Sequence, residues 1–350
     1  MMMKAGRLYG PEDLRIVSVP VPEIADDEIL IRVRAAALCG SDLRMIQQGA
    51  SGFDEDHPLT LGHEFAGDVE KVGQAADCEL KPGDRVSVAP NFGCGTCDFC
   101  VSGQGHLCAD YQAFGINIDG AFAEYVKVPA RAVRQGNVAV LDDGVSYGAA
   151  AINEPFSCVQ NGFERNQVRP GDAVLVIGAG AIGLMHARLA RMAGAGTVVV
   201  NDLSAERLQA VRDIDSGIIT VDGSQDLRDF TKAITKGRGF DVIVTAAPVP
   251  AIQQISLELA AVNGRVCFFG GLPRDRQEVT LNTNLIHYRQ LIVSGTTRAS
   301  LAQYRRTLGY LSTGVMDLDA LITARGPLEK LPEFVRQARQ AQGIKYVIEF

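Results

Sequence analysis

Val174-Leu175-Val176-Ile177 runs directly into Gly178-Ala179-Gly180-Ala181-Ile182-Gly183, and Leu184, Ala187, Leu189 and Ala190 follow at helical spacing. An apolar strand, a turn with glycines at the first, third and sixth positions, and an amphipathic helix form the opening of a dinucleotide-binding βαβ unit. Gly178 permits the tight turn and Gly180 lets backbone approach a pyrophosphate. Gly183 allows close helix packing, while the N–H groups of Ala181, Ile182 and Gly183 face an anion at the helix start. The bland alternative is a glycine-rich turn with no ligand. Asp202 decides against it, because it stands 19 residues after Gly183 at the end of the next apolar run, where a carboxylate accepts from ribose hydroxyls. Such an acid predicts NAD, not NADP. Arg207 is the one nearby cation, and it is read as packing on the adenine.

Around this unit lie six short apolar runs, Val174–Ile177, Thr197–Asn201, Gly217–Val221, Val242–Ala246, Arg265–Phe269 and Leu291–Ser294. Helical stretches at 181–193, 204–213, 226–236 and 250–261 separate them, which predicts a doubly wound parallel sheet of the Rossmann type over 154–296. The first half reads differently. Ile29–Ala37 alternates Ile31, Val33 and Ala35 against Arg32 and Arg34, and turn residues are dense through 49–62, 81–84 and 90–95, as in a β-rich domain with functional loops. The tail holds two amphipathic stretches, Leu301–Leu311 and Leu328–Ala341, and a strand-like Lys345–Phe350. It is too short to fold alone, so 297–350 is expected to join 1–153 in one domain.

The 350 residues carry 34 Lys and Arg against 41 Asp and Glu, a net charge of −7 with no basic run, which argues against a nucleic-acid partner, including a zinc module that binds one. The longest charge-free stretch, Val242 to Leu257, is 16 residues with two prolines, too short and too broken for a membrane span. Pro11-Glu12-Asp13 follows the start before any apolar signal region forms, so a cytoplasmic location and a small-molecule partner are expected.

Four of the eight cysteines fall in Cys94-x-x-Cys97-x-x-Cys100-x7-Cys108. Four thiolates in so short a stretch suit one tetrahedral zinc ion, and a closed shell of sulfur makes that site structural. An iron–sulfur cluster also takes four cysteines, but the spacing differs from the common ferredoxin runs. A second, dispersed set consists of Cys39-Gly40-Ser41-Asp42, His63-Glu64 and Glu154-Pro155. Cysteine, histidine and one further ligand, with a position left open, are the donors of a catalytic zinc.

These segments, with Gly62-His63-Glu64-Phe65-Ala66-Gly67, Gly83-Asp84-Arg85-Val86, Gly120-Ala121-Phe122-Ala123-Glu124-Tyr125 and the Gly178 turn, occur in an order that resembles the zinc-dependent medium-chain alcohol dehydrogenases across essentially the whole chain. Glu154-Pro155, Asp202-Leu203-Ser204 and Gly295-x-x-Arg298 are most similar to the polyol branch, the sorbitol (L-iditol 2-) dehydrogenases and their bacterial relatives. The resemblance implies an α/β chain with a GroES-like β-rich catalytic domain beside the Rossmann domain, two zinc ions per chain, NAD, and a homo-oligomer, dimer or tetramer.

It also implies roles. Cys39 and His63 hold the catalytic zinc, Glu64 is a direct or exchangeable ligand, and Glu154 supplies the remaining one, with Cys158 as the alternative. The reaction implied is hydride transfer from a secondary alcohol of a polyol to NAD+, giving a ketose. Ser41 passes on the released proton and Asp42 orients His63. Arg44 stands where the family often has a histidine, and a guanidinium cannot act as the relay's outer base. Arg298 takes the place of an arginine that contacts substrate hydroxyls. L-threonine 3-dehydrogenase and sugar-alcohol-phosphate dehydrogenases are the enzymatic alternatives, and an NAD(H)-binding redox sensor is the non-enzymatic one.

Overall fold

A computed structural model describes residues 1–350. The chain divides into two compact units. The first comprises Met1–Ser157, Arg298–Ala341 and Lys345–Phe350, and the second Cys158–Thr297 with Gln342–Ile344. The division falls inside one helix, Tyr147–Asn166, so the nucleotide unit begins four residues later than the sequence reading places it and Glu154 belongs to the first unit. Glu154-Pro155 lies in the middle of this helix, and helical continuity overrides the breaker signal of Pro155.

In the second unit six parallel strands form one sheet in the order Ile219–Asp222, Thr197–Asp202, Ala173–Ile177, Phe240–Thr245, Ala260–Phe268, Ile292–Gly295. In chain order this is 3-2-1-4-5-6, the doubly wound arrangement. Leu175, Ile177, Val199, Ile243 and Val266 are buried in its core. The fifth strand starts at Ala260, ahead of the expected Arg265, because Ala260 pairs with Phe240 before the register shifts.

The first unit is built on Ile29–Ala37, which pairs antiparallel with Glu64–Val72, Tyr125–Val128 and Lys345–Glu349. Ile29, Ile31 and Val33 are fully buried with Phe65, Phe114 and Phe122, and Phe65 meets Phe114 edge-on at 5.5 Å between ring centroids. Register decides what comes together. Ala37 faces Glu64 and also Val347, so Cys39, His63 and Lys345 all arrive at the same end of the sheet. No helix is long and apolar enough to cross a membrane.

Candidate active site

Cys39 is the N-cap of the helix Gly40–Gln48, and the buried Asp42 accepts the Cys39 N–H at 2.9 Å through Oδ2, closing a capping box. The other Asp42 oxygen faces His63 Nδ1 at 3.4 Å, which aims Nε2 at the opposite side, where Ser41 Oγ lies at 3.1 Å. His63 itself is fixed by its neighbour. Gly62 has φ +94°, and a Cβ there would stand 2.8 Å from the Phe122 amide. The Gly120-Ala121-Phe122 segment reaches that close and donates three backbone hydrogen bonds to the carbonyls of Thr60, Gly62 and Leu61.

Ligand atoms of Cys39, His63 and Glu64 lie within 4.8 Å of one another, a separation one metal ion can bridge. Burial works to keep His63 neutral, but the charges of Asp42 and Cys39 outweigh it and hold its pKa well above the usual imidazole value. Asp42, Glu64 and Glu154 are buried here beside the half-buried Cys39, together with one buried ammonium, Lys345. Burial works against that ammonium too, and the charges of Glu64, Cys39 and Glu154 raise its pKa nonetheless. A thiol, an imidazole and a carboxylate brought this close are donors that suit zinc. The residues fit the ion. Glu154 is close enough for its charge to act on Lys345 and Tyr304, but it is not among the three converging groups, and neither is Cys158.

The second cluster is local. The sulfurs of Cys94, Cys97, Cys100 and Cys108 also lie within 4.8 Å of one another. The amides of Thr96 and Cys97 donate to Cys94 Sγ at 3.5 and 3.3 Å and bring that thiol down to about 6, while the Cys94 amide donates to Cys108 Sγ at 3.3 Å. Burial pushes Cys100 up to about 12. Four sulfurs in a ring of N–H donors fit a closed tetrahedral zinc shell.

In the second unit Gly178 ends the first strand and Gly180 is the N-cap of the helix Ala181–Met192, without a side-chain capping bond, so the first-turn N–H groups are open to an anion. A Cβ on Gly183 would stand 1.8 Å from the Gly178 carbonyl, so the helix seats on the turn only with glycine there. Asp202 ends the second strand and accepts from the amides of Ala179 at 2.6 Å and Ser204 at 2.8 Å. Its carboxylate therefore also holds the glycine turn in place. Arg207 donates to the Gly343 carbonyl at 3.3 Å, and its Nη1 lies 3.9 Å from where a Cβ on Gly180 would be. The guanidinium thus stands beside the anion-facing turn. The open helix start, the space over Gly180 and the acid at the end of the second strand fit a nicotinamide dinucleotide.

Comparison with known proteins agrees with this geometry. Residues 25–137 match the alcohol dehydrogenase GroES-like domain, and residues 181–313 match the zinc-binding dehydrogenase family. The chain belongs to the polyol branch of the zinc-dependent medium-chain alcohol dehydrogenases. The dehydrogenase is 35% identical to sorbitol dehydrogenase of Bacillus subtilis (strain 168) over 97% of this chain and 94% of the relative. It is 33% identical to L-threonine 3-dehydrogenase of Bacillus velezensis over 94% and 93%. A Sinorhizobium meliloti 1021 structure bound to NADP superposes with a TM-score of 0.89 at 30% identity, covering all of both chains. It is therefore a zinc-dependent oxidoreductase that uses a nicotinamide cofactor on a small alcohol substrate.

Two placements add to what the residues alone suggest. Arg298, at φ +54°, donates to the His106 carbonyl and stacks on Tyr111 at 3.8 Å, contacts in and just after the four-cysteine loop. Lys345 joins the Cys39 group although nothing local singles it out. A lysine opening a terminal strand ordinarily reads as solvated, and only its antiparallel pairing beside Ala37 brings it inward.

Proposed function

We propose that this dehydrogenase oxidises a secondary hydroxyl of a polyol to a ketone, giving a ketose, with NAD+ as hydride acceptor and two zinc ions per chain. The observation that carries the reading is the convergence of Cys39, His63 and Glu64 with Ser41 Oγ 3.1 Å from His63 Nε2. Zinc, when bound there, supplies Lewis-acid polarisation of the substrate hydroxyl, and the nicotinamide supplies the hydride acceptor. Ser41 accepts the hydroxyl proton and passes it outward. Asp42 Oδ1 faces Nδ1 at 3.4 Å and orients the His63 ring so that Nε2 stays available. Arg44 is exposed, and a guanidinium offers no acceptor for a proton, so the proton goes on to solvent or cofactor, not to that side chain.

The polyol assignment rests on the similarity to B. subtilis sorbitol dehydrogenase and on the buried carboxylate of Glu154 beside the metal group. L-Threonine is the second reading, supported by the B. velezensis relative. NAD follows from Asp202, whose charge would oppose a 2′-phosphate. Arg207 beside Gly180, together with the NADP in the S. meliloti relative, supports the opposite preference. A dimer or tetramer is part of the proposal, in keeping with the open edge of Ile292–Gly295, where Ile292 is exposed. So is a reducing, cytoplasmic compartment, since the four clustered thiols and Cys39 must stay unoxidised to hold metal.

Hexitols, pentitols, threonine, sugar-alcohol phosphates and short alcohols, each assayed with NAD+ and NADP+, test these assignments. Hexitol oxidation with NAD+ preferred is expected, and threonine oxidation without hexitol activity overturns the substrate class. Asp202→Ala should narrow the cofactor preference. A gap untouched by it removes Asp202 from the ribose.

A further inference from the structure

Pro155 stands inside the helix Tyr147–Asn166 and has no N–H, so the Ala151 carbonyl loses its donor in the turn that carries Glu154. A helix weakened there does not by itself hold a neighbouring carboxylate in one direction. Helical spacing gives the Glu154 N–H to the Ala150 carbonyl, the bond just before the gap. Tyr304, 2% exposed on the helix Leu301–Ser312, supports this turn from outside it. Its hydroxyl is hydrogen-bonded to Ser87 Oγ, and Ser87 Oγ donates to the Ala150 carbonyl at 2.9 Å. Serine has one proton and a carbonyl only accepts, so Tyr304 is the donor to Ser87. The chain of hydroxyls runs in one direction and ends on the oxygen that holds the Glu154 amide. The Tyr304 carbonyl also accepts from Asn153 Nδ2 at 3.1 Å, which fixes the residue before Glu154. Ser87 and Asn153 are fully buried, so water does not compete for either contact. Burial raises the phenol pKa, the charges of Glu154 and Glu64 add to the rise, and the donor stays protonated.

We propose that Tyr304, acting through Ser87 and Asn153, is a positioning residue that holds the Glu154 carboxylate ready to accept a hydrogen bond from a second hydroxyl of the substrate. The two contacts at Ala150 and Asn153 replace from outside the rigidity that Pro155 removes from within. A carboxylate already fixed adds no ordering cost when a polyol binds, whereas one free to swing has to be ordered by the substrate. A monohydroxy alcohol has no second oxygen and gains nothing from the arrangement. This inference rests on the polyol reading, in which Glu154 meets a hydroxyl next to the reacting one.

The test uses the zinc-loaded full chain and the variants Tyr304→Phe, Ser87→Ala and their combination, each also in a Glu154→Ala background. One readout is amide hydrogen exchange at Glu154, followed by mass spectrometry with residue-level fragmentation. The other is KM and kcat for a hexitol and for a short secondary alcohol. Exchange at Glu154 should quicken by about fivefold, the worth of one neutral hydrogen bond, while the amides of Ile29–Ala37 keep their rates. The KM for the hexitol should rise by a similar factor, with kcat and the short alcohol little changed. Because the two hydroxyls act as one chain, the combination should do no more than Ser87→Ala alone. In the Glu154→Ala background the change in KM should disappear while the quicker exchange persists.

If Tyr304→Phe and Ser87→Ala leave exchange at Glu154 at the wild-type rate, or raise KM equally for the hexitol and the short alcohol, the inference is wrong. Failure of both variants to fold would make the pair a core contact only, and that also overturns it. A wild-type chain that oxidises no polyol removes the reading beneath the inference, a result distinct from these because it needs no variant.

Discussion

Acidification should destabilise the dehydrogenase through His186, and a His186→Leu variant should escape that share of the loss. His186 lies in the helix Ala181–Met192, 3% exposed, edge-on to Phe269 with 4.7 Å between centroids, and its Nε2 has no hydrogen-bond partner. Burial alone brings its pKa from 6.5 down to about 3. Above the unfolded value both states are neutral and the ring contributes nothing to pH dependence. Between 6.5 and about 3 the unfolded ring takes up a proton that the folded ring refuses, so stability falls as pH drops. The slope is about 1.4 kcal/mol per pH unit, which amounts to about 2 kcal/mol lost between about pH 7.5 and about pH 5. Leucine removes this term and adds a packing change that does not depend on pH. The chain has no tryptophan, so urea unfolding is followed by far-UV circular dichroism at fixed zinc, wild type against variant at both pH values. Carboxylates and metal ligands titrate equally in the two proteins and cancel in the comparison. Equal acid losses in both would mean that His186 is solvated or partnered, and the burial argument would fail.

Other substitutions probe the metal groups. Cys97→Ser should lower the zinc content by about one ion per chain and reduce stability, because a closed sulfur shell contributes directly to folding; unchanged stoichiometry by elemental analysis would remove the structural site. Ser41→Ala should cut kcat by about a hundredfold or more with little change in KM, since the hydroxyl acts on the proton in flight rather than on binding; a wild-type kcat would take Ser41 out of the proton path. Arg298→Ala should speed zinc loss from the four-cysteine loop, because the guanidinium holds the His106 carbonyl and stacks on Tyr111 on either side of Cys108. A rise in KM confined to hexitols, with zinc retention unchanged, would place Arg298 on the substrate instead.

Features encoded over a few neighbouring residues were legible without coordinates. The Gly178 turn is one strand, one turn and one helix in succession, and its packing demands are met inside twenty residues. The four cysteines are also a local device, since all four sulfurs come from one 15-residue stretch. Even Cys39 and Asp42 belong together by helix-capping geometry alone. Motif spacing and chemical type suffice for such groups because chain connectivity already holds the partners near one another.

The Cys39 group and its surroundings are of the other kind. Ser41 and His63 are 22 residues apart, Glu64 and Lys345 281, and Arg298 and His106 192. The parallel sheet, the dinucleotide turn and the four-sulfur cluster were readable from spacing and residue type, and family resemblance pointed to Cys39 and His63 as metal-ligand candidates. Long-range packing was needed to show that Glu64 converges with them, that Arg298 contacts His106 and Tyr111, and that Lys345 is buried. The reason lies in the register of antiparallel strands: pairing Ala37 with both Glu64 and Val347 delivers three distant segments to one sheet end. A slip of one residue would turn their side chains to the other face, and that long-range choice follows from the whole core rather than from any segment of the chain.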